Sequence, residues 1–361
     1  MSSDYDSILQ RLNEVPPGRE RIAVFEELIR MADSNKDVPM AYDVRRDYCR
    51  LCCEEGAPEK GIVAFSWCLA QFDKDPQLDD EHSLIWQYKV ILELIPIFHT
   101  VSRDQIVKLQ EDMAKRLEHL GVSERTAHYY RSWNLMRMGD YDQALSYQET
   151  YMAMARDSMS DCKACEADRQ VELLVRMHKD EEALKLAKPI MSGRMRCGEV
   201  PEFTNAHLVK ALIRVGKEAE AVELAKSGYK IAHGERKYLG TIGDLLLVPI
   251  RVRDFQTGLR QITKHLPWVV DSAAGELKFR FLHAASLYFE AFAAQAPGKT
   301  IKIRLPESLG IAQEGDQYEA AALAEAFLKQ AQEFAVLFNR RNGNTRYDQL
   351  IADNRVIAGL A

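Results

Sequence analysis

The sequence predicts an all-α protein, a solenoid of antiparallel helix pairs with one short extended insertion near its C-terminus. Two observations predict it. One is a segment that recurs four times at nearly constant spacing. The other is a succession of long windows in which apolar residues recur every three to four positions between short polar turns. Apolar residues make up 47% of the 361 positions, enough for a continuous core and too many for a disordered chain.

The elements follow in order. Phe25, Leu28, Ile29 and Ala32 share one face of an N-terminal helix. Gly56, Pro58 and Gly61 mark the turn of a degenerate helix pair. Two further helices are expected over 82–98 and 103–119, the second with Ile106, Leu109, Met113 and Leu117 on one face. Leu84 to Phe98 is the most apolar window, but Lys89, Glu93 and Pro96 interrupt it and it is shorter than the ~20 residues of a membrane span. It reads as a buried helix, so no membrane partner is expected. Residues 1–122 are thus expected to form degenerate helix pairs, 123–270 the clear repeats, and 271–361 the C-terminal helices, all in one solenoid.

The recurring segments run Leu135–Leu145, Leu174–Leu184, Leu212–Val222 and Pro249–Leu259. Anchored on Ala144, Ala183, Ala221 and Gly258, they lie 39, 38 and 37 residues apart. Each reads as the end of one helix, a tight polar turn and the start of the next. The small anchor lets the second helix press against the first, and Gly139 and Gly216 suit the left-handed backbone that ends a helix. Gly139, Tyr141 and Ala144 together resemble the signature of the tetratricopeptide repeat. That resemblance implies a right-handed superhelix in which the first helix of each pair lines a concave face. The units depart from the family pattern. They exceed its period of about 34 residues, His178 and Arg253 stand where the turn glycine is expected, and Asp180 and Glu218 replace the tyrosine. Asp161–Glu166 through Cys197–Pro201, and Tyr318–Leu323 through Phe338–Asn344, further resemble an uncharacterised set of bacterial repeat proteins, a likeness that carries no activity.

After the repeats, helices are expected near 272–295 and 317–338. Between them, in the 297–317 insertion, Ile301, Ile303 and Leu305 alternate with Lys302 and Arg304, the period of a half-buried strand. An Asn-Gly turn within Phe338–Asn344 ends the last of these helices.

Function classes narrow by exclusion. A net charge of −6 argues against a non-specific nucleic-acid binder, which needs a basic field to release counterions. No basic and apolar leader follows Met1, and seven cysteines, an odd number, suit reduced thiols; both lead to the expectation of a cytoplasmic chain. No G-x-S-x-G, H-E-x-x-H, Walker loop or dinucleotide fingerprint occurs, so no enzyme is expected.

Two clusters remain as candidate sites. Cys49, Cys52 and Cys53 lie on one helix and Cys68 on its partner; a metal reading is open to them, but Cys49, Cys52 and Cys68 map onto small buried positions of the pair and read as packing. Cys162 and Cys165 are spaced C-x2-C at the start of one repeat, and Cys197 follows the second helix of that repeat. An antiparallel hairpin brings those two ends together. A zinc site, a redox pair and simple packing all fit, with His207, His233, Glu166 and Glu199 as candidate fourth ligands. Zinc is the sole cofactor that the sequence suggests. The second cluster is an arginine ladder: Arg137, Arg176, Arg214 and Arg251 occupy one repeat position, on the groove side of the tetratricopeptide pattern. Tyr129, Trp133, Met136, Phe203, His207 and Lys210 are its expected neighbours. If the ladder binds, its guanidinium groups face the groove unpaired and hold an acidic protein segment. If it is structural, each arginine pairs with a carboxylate such as Glu172 or Asp168. The expected function is a protein- or peptide-binding scaffold. The alternatives are a peptide-sensing regulator and a zinc or redox protein built on the three cysteines.

Overall fold

The computed structural model describes residues 2–16, 18–55, 57–311 and 315–360, with the side chains of residues 2–4, 6 and 19 left aside. Helix accounts for 76% of the chain, in 18 α-helices among the described residues. The chain divides into two compact units. One comprises residues 1–134 with 150–160, the other 135–149 with 161–361. The boundary between them therefore falls inside one helix pair, and 271–361 goes with the clear repeats. None of the described helices is long and apolar enough to cross a membrane.

The first unit is built from α1 (Ser2–Glu14), α2 (Arg19–Ser34), α3 (Val38–Glu54), α4 (Pro58–Phe72), α5 (Glu81–Leu94), α6 (Arg103–His119) and the start of α7 (Arg125–Met138). Polar caps set the helix starts. Asp37 accepts the Met40 N–H at α3, and Ser102 and Gln105 form a reciprocal capping box at α6. Helix α5 ends early, and a 3-10 turn around Pro96 continues to Ile97. Ile106, Leu109, Met113 and Leu117 are all buried, as their spacing predicts. At the α3–α4 contact a Cβ on Gly61 would lie 2.9 Å from the Cys49 carbonyl oxygen. Cys49, Cys52, Cys53 and Cys68 are buried at this close approach, the packing role of a small apolar side chain. Gly56 lies outside the described residues. Lys89 is buried too. Its ammonium donates to the Met159 carbonyl at 3.0 Å and sits 3.3 Å from the centre of the Trp86 ring.

The second unit holds the recurring segments. Helix pairs here are α9 (Lys163–Arg176) with α10 (Asp180–Leu186), α12 (Glu202–Arg214) with α13 (Glu218–Ala232), and α14 (Leu239–Arg251) with α15 (Phe255–Asp271). Helix α7 and α8 (Tyr141–Ala153) flank the first segment, and the short α11 (Lys188–Met191) follows α10. Each segment straddles a helix end, a turn and a helix start, as read from the sequence. Ala144, Ala183 and Ala221 are fully buried, and at Gly258 a Cβ would come within 2.7 Å of the Tyr288 ring. All four turns place a residue in the left-handed region: Gly139 (φ 90°), His178 (59°), Gly216 (77°) and Arg253 (60°). The geometry of the turn is thus retained where the glycine is not.

Beyond the repeats, α16 (Gly275–Gln295) and α17 (Ala320–Asn342) pack side by side. Between them β1 (Thr300–Lys302) pairs antiparallel with β2 (Gln317–Glu319), with Ile301 opposite Tyr318. Ile301, Ile303 and Leu305 are buried, so the alternation did mark a half-buried segment. Gly343, at φ 73°, ends α17 at the expected Asn-Gly turn, and α18 (Arg346–Ala358) follows at once.

Candidate functional site

The four repeat arginines lie on the face that the first helices of successive pairs present, but none is an unpaired guanidinium. Arg137 lies 2.9 Å from Glu276 and 3.7 Å from Glu172. Arg176 donates from Nε and Nη2 to Glu172 at 2.8 and 2.6 Å. Arg214 holds Asp180 with two hydrogen bonds and donates a third to the Val175 carbonyl at 2.9 Å. Arg251 pairs with Glu218 at the start of α13. The expectation of open arginines is therefore corrected. Each guanidinium meets a carboxylate, Glu172 of its own helix for Arg176 and one from a neighbouring helix for the other three. The expected aromatic neighbours are corrected too. Tyr129 is buried against the Tyr130 and Tyr151 rings, with centroids at 5.0 and 5.3 Å. The Trp133 indole N–H reaches the Glu93 carbonyl at 3.4 Å. Phe203 is half-buried on Tyr238, with centroids 5.2 Å apart.

Within the second unit a further helix, α18, lies against the repeat pairs. It packs on α12, α14 and α16 and covers the face that the sequence reading left open. Tyr347, Asn354, Ile357 and Ala358 form its buried side, at helical spacing. Lys210 donates to Asn354 Oδ1 at 3.1 Å, and the Asn354 amide meets His283 Nδ1 at 3.2 Å. Asp353 lies 3.5 Å from both His178 and Arg346. At the end of the helix Arg251 donates to the carbonyls of Val356 and Ile357, at 3.3 and 3.2 Å, and Arg253 to that of Gly359 at 3.0 Å. The last carbonyls of a helix lack intrahelical partners and carry roughly half a negative charge. One ladder arginine, Arg251, and the turn residue Arg253 thus meet a helix C-terminus, not a carboxylate-bearing peptide.

Beneath α18 lies a small cavity of about 50 Å³, lined among others by Arg176, His207, Lys210, Asp244, Glu276, Arg280 and Arg346. Asp244 sits between two cations: Lys210 at 2.9 Å and Arg280, which donates a short hydrogen bond. Burial works against the Asp244 charge, but Arg280 and Lys210 outweigh it and hold the carboxyl well below its usual range. Burial likewise opposes ionisation of Glu172, and Arg137 and Arg176 overcome it. His207 is pushed down to about 3 by burial, against the pull of Glu172. Asp168 is raised to about 7 by burial; its carboxylate accepts the Thr204 hydroxyl and does not pair with a ladder arginine. The sequence reading missed Asp244, Glu276, Arg280, Arg346 and Asn354. One signal was present: Asp244 is a lone charge inside the apolar run Leu239–Ile250.

The cysteines form a second, separate site. Cys162 caps α9, and its sulfur accepts the Cys165 N–H at 3.3 Å. Cys197 comes from a turn in which its N–H and the Val200 carbonyl pair at 3.2 Å. Ala164, Ala167, Ile190 and Val200 form a small apolar cluster, with Cys165 packed on it, that holds this turn against α9. The three sulfurs all lie within 4.8 Å of one another. Cys162 and Cys197 are exposed, Cys165 half-buried. Burial pushes the Cys162 thiol up, but the backbone N–H groups of Cys165 and Ala164 and the two neighbouring thiols bring it below its ordinary value. Burial, and then Cys162 and Cys197, push Cys165 up. The four N-terminal cysteines form no such group. The candidate fourth donors are held elsewhere. His207 faces Glu172 at 3.5 Å, His233 accepts from Lys264 at 2.9 Å, Glu199 pairs with Lys237 at 3.3 Å, and Glu166 is buried.

No protein-family model matches this chain, and no curated protein matches it.

Proposed function

We propose that this chain is a non-catalytic, tetratricopeptide-like scaffold whose repeat face receives a helix, and that α18 occupies that face in cis as a stand-in for a partner protein's helix. The observation that carries this is the set of polar contacts from successive repeats to one helix: His178 to Asp353, Lys210 to Asn354, Arg251 and Arg253 to the terminal carbonyls. The partner implied is a helix with an apolar stripe and an open C-terminal end. The four ladder arginines are paired within the chain and so offer an acidic extended segment no unpaired guanidinium. The peptide-sensing alternative shares this face, with displacement of α18 as its switch. Seven free thiols favour a reducing, cytoplasmic setting.

A labelled peptide of residues 344–360 tests the reading. It is titrated against the full chain and against Arg355→Glu, which turns the Arg355–Glu290 pair (2.7 Å) into a repulsion and loosens the cis helix. Uptake should be stronger in the variant. No uptake by the variant at several millimolar peptide, above the effective concentration of about a millimolar that the tethered helix has, would sink the proposal.

A metal capacity is a second reading, favoured by the convergence of three sulfurs. We propose zinc as the ion. Soft thiolates select it over magnesium and calcium, and two sulfurs bound to one zinc at ~2.3 Å stand ~3.8 Å apart, inside the observed limit.

A further inference from the structure

We infer that a zinc ion on Cys162, Cys165 and Cys197 leaves its fourth coordination position facing solvent, and that this position takes a neutral imidazole from a histidine of another protein. The inference rests on the zinc reading of the three thiols and goes beyond it to a docking chemistry.

The geometry comes first. Zinc in proteins is four-coordinate, and a site closed for structural reasons supplies all four ligands from its own chain. Among the described residues three donors converge here. The four residues that the sequence offered as a fourth are each engaged or buried, as described above. Two of the three sulfurs belong to exposed residues, so the remaining tetrahedral direction opens at the surface. The site is also braced. The N–H of Cys165 fixes the Cys162 sulfur, and the Cys197 turn is pinned by its bridge to Val200 and by the apolar cluster under Cys165. Such support holds ligands in place before metal arrives.

Charge selects the incoming ligand. Three thiolates around a divalent ion give a net charge of minus one, so a fourth thiolate or a carboxylate would add like charge at an exposed position. A neutral imidazole completes the tetrahedron without it, and imidazole nitrogen is a good zinc donor. Binding of the metal releases the protons still held by the three thiols, so affinity should rise with pH.

The test uses the full chain, reduced and metal-free, titrated with cobalt(II) as a spectroscopic substitute for zinc. Expected is one equivalent bound, with thiolate-to-cobalt charge transfer and the visible bands of a tetrahedral ion. Imidazole should then shift those bands saturably. Cys165→Ser should weaken cobalt binding by on the order of 100-fold or more, since loss of even a supporting residue costs 10–100-fold. Unchanged circular dichroism of that variant would separate metal loss from unfolding. Absence of binding while all three thiols titrate as free would defeat the zinc reading and this inference with it. A disulfide formed among the three in place of metal would do the same. Tight cobalt binding with bands that imidazole leaves unmoved would keep the zinc and overturn the open position. One metal per two chains would overturn it as well, because a second copy would then supply the missing ligand.

Discussion

Asp244 stands between Lys210 and Arg280, and its removal tests how dry the charge cluster is. Asp244→Asn keeps the shape but leaves two buried cations facing a neutral amide. The expected loss is about 3–5 kcal/mol in urea unfolding, the usual cost of breaking a buried pair from one side. Arg236→Ala, at the Arg236–Asp271 pair with side chains 65% and 50% exposed, should cost under ~1 kcal/mol. Comparable losses at both sites would contradict the desolvated cluster. Sequence periodicity located the arginines because they recur once per repeat. Of the ladder's counter-charges it named Glu172 but not Glu276, which comes from α16 and does not recur, nor Asp180 and Glu218, which share one repeat position and were read only as replacements for the turn tyrosine.

At the level of the element, the turn between paired helices is the unit that repeats. Its left-handed residue costs an L side chain roughly 1–2 kcal/mol, yet His178 and Arg253 accept it. His178→Gly should therefore stabilise the chain by about 1 kcal/mol, less a small loss from the half-exposed contact with Asp353. Arg253→Gly should gain less, because it forfeits the hydrogen bonds to Ile250 and Gly359. Thermal melts of the two variants would check the order, and destabilisation by His178→Gly would refute it. These turns, the half-buried Ile301–Ile303–Leu305 segment and the Asn-Gly stop were legible because each depends on a few adjacent residues. The docking of α18 was not, since it depends on side chains more than a hundred positions away, such as Arg251 with Ile357. The cysteine site was legible in part. Hairpin geometry brings the segments together, but only packing of Val200 and Ile190 on α9 sets the sulfur distances.

Over the whole chain, buried histidines govern the response to acid. Burial pushes His207 and His283 down to about 3 and His265 to about 4, from an unfolded value near 6.5. A depressed folded value means that the unfolded chain binds protons first. The stability these groups lend is complete above pH 6.5 and is lost as pH falls toward 4. Asp168 acts in the opposite sense. Its carboxyl is raised to about 7, so the fold takes up that proton first and gains as pH falls from 7 to about 4. The balance is roughly two protons in favour of the unfolded chain, or on the order of 2–3 kcal/mol lost between pH 6 and pH 5. Urea unfolding at the two values would measure it. His283→Gln should reduce the slope by about one proton, and an unchanged slope would show that His283 is not the neutral group described.

The connection from α17 to α18 is only Gly343, Asn344 and Thr345. A helix on so short a tether confronts its seat at an effective concentration of the order of millimolar. A free helix at about micromolar concentration must bind roughly a thousandfold more tightly, about 4 kcal/mol, to take its place. Under the proposed function the repeat face would then act as a threshold. Weak amphipathic helices would be turned away by competition alone, with no repulsive contact needed against them.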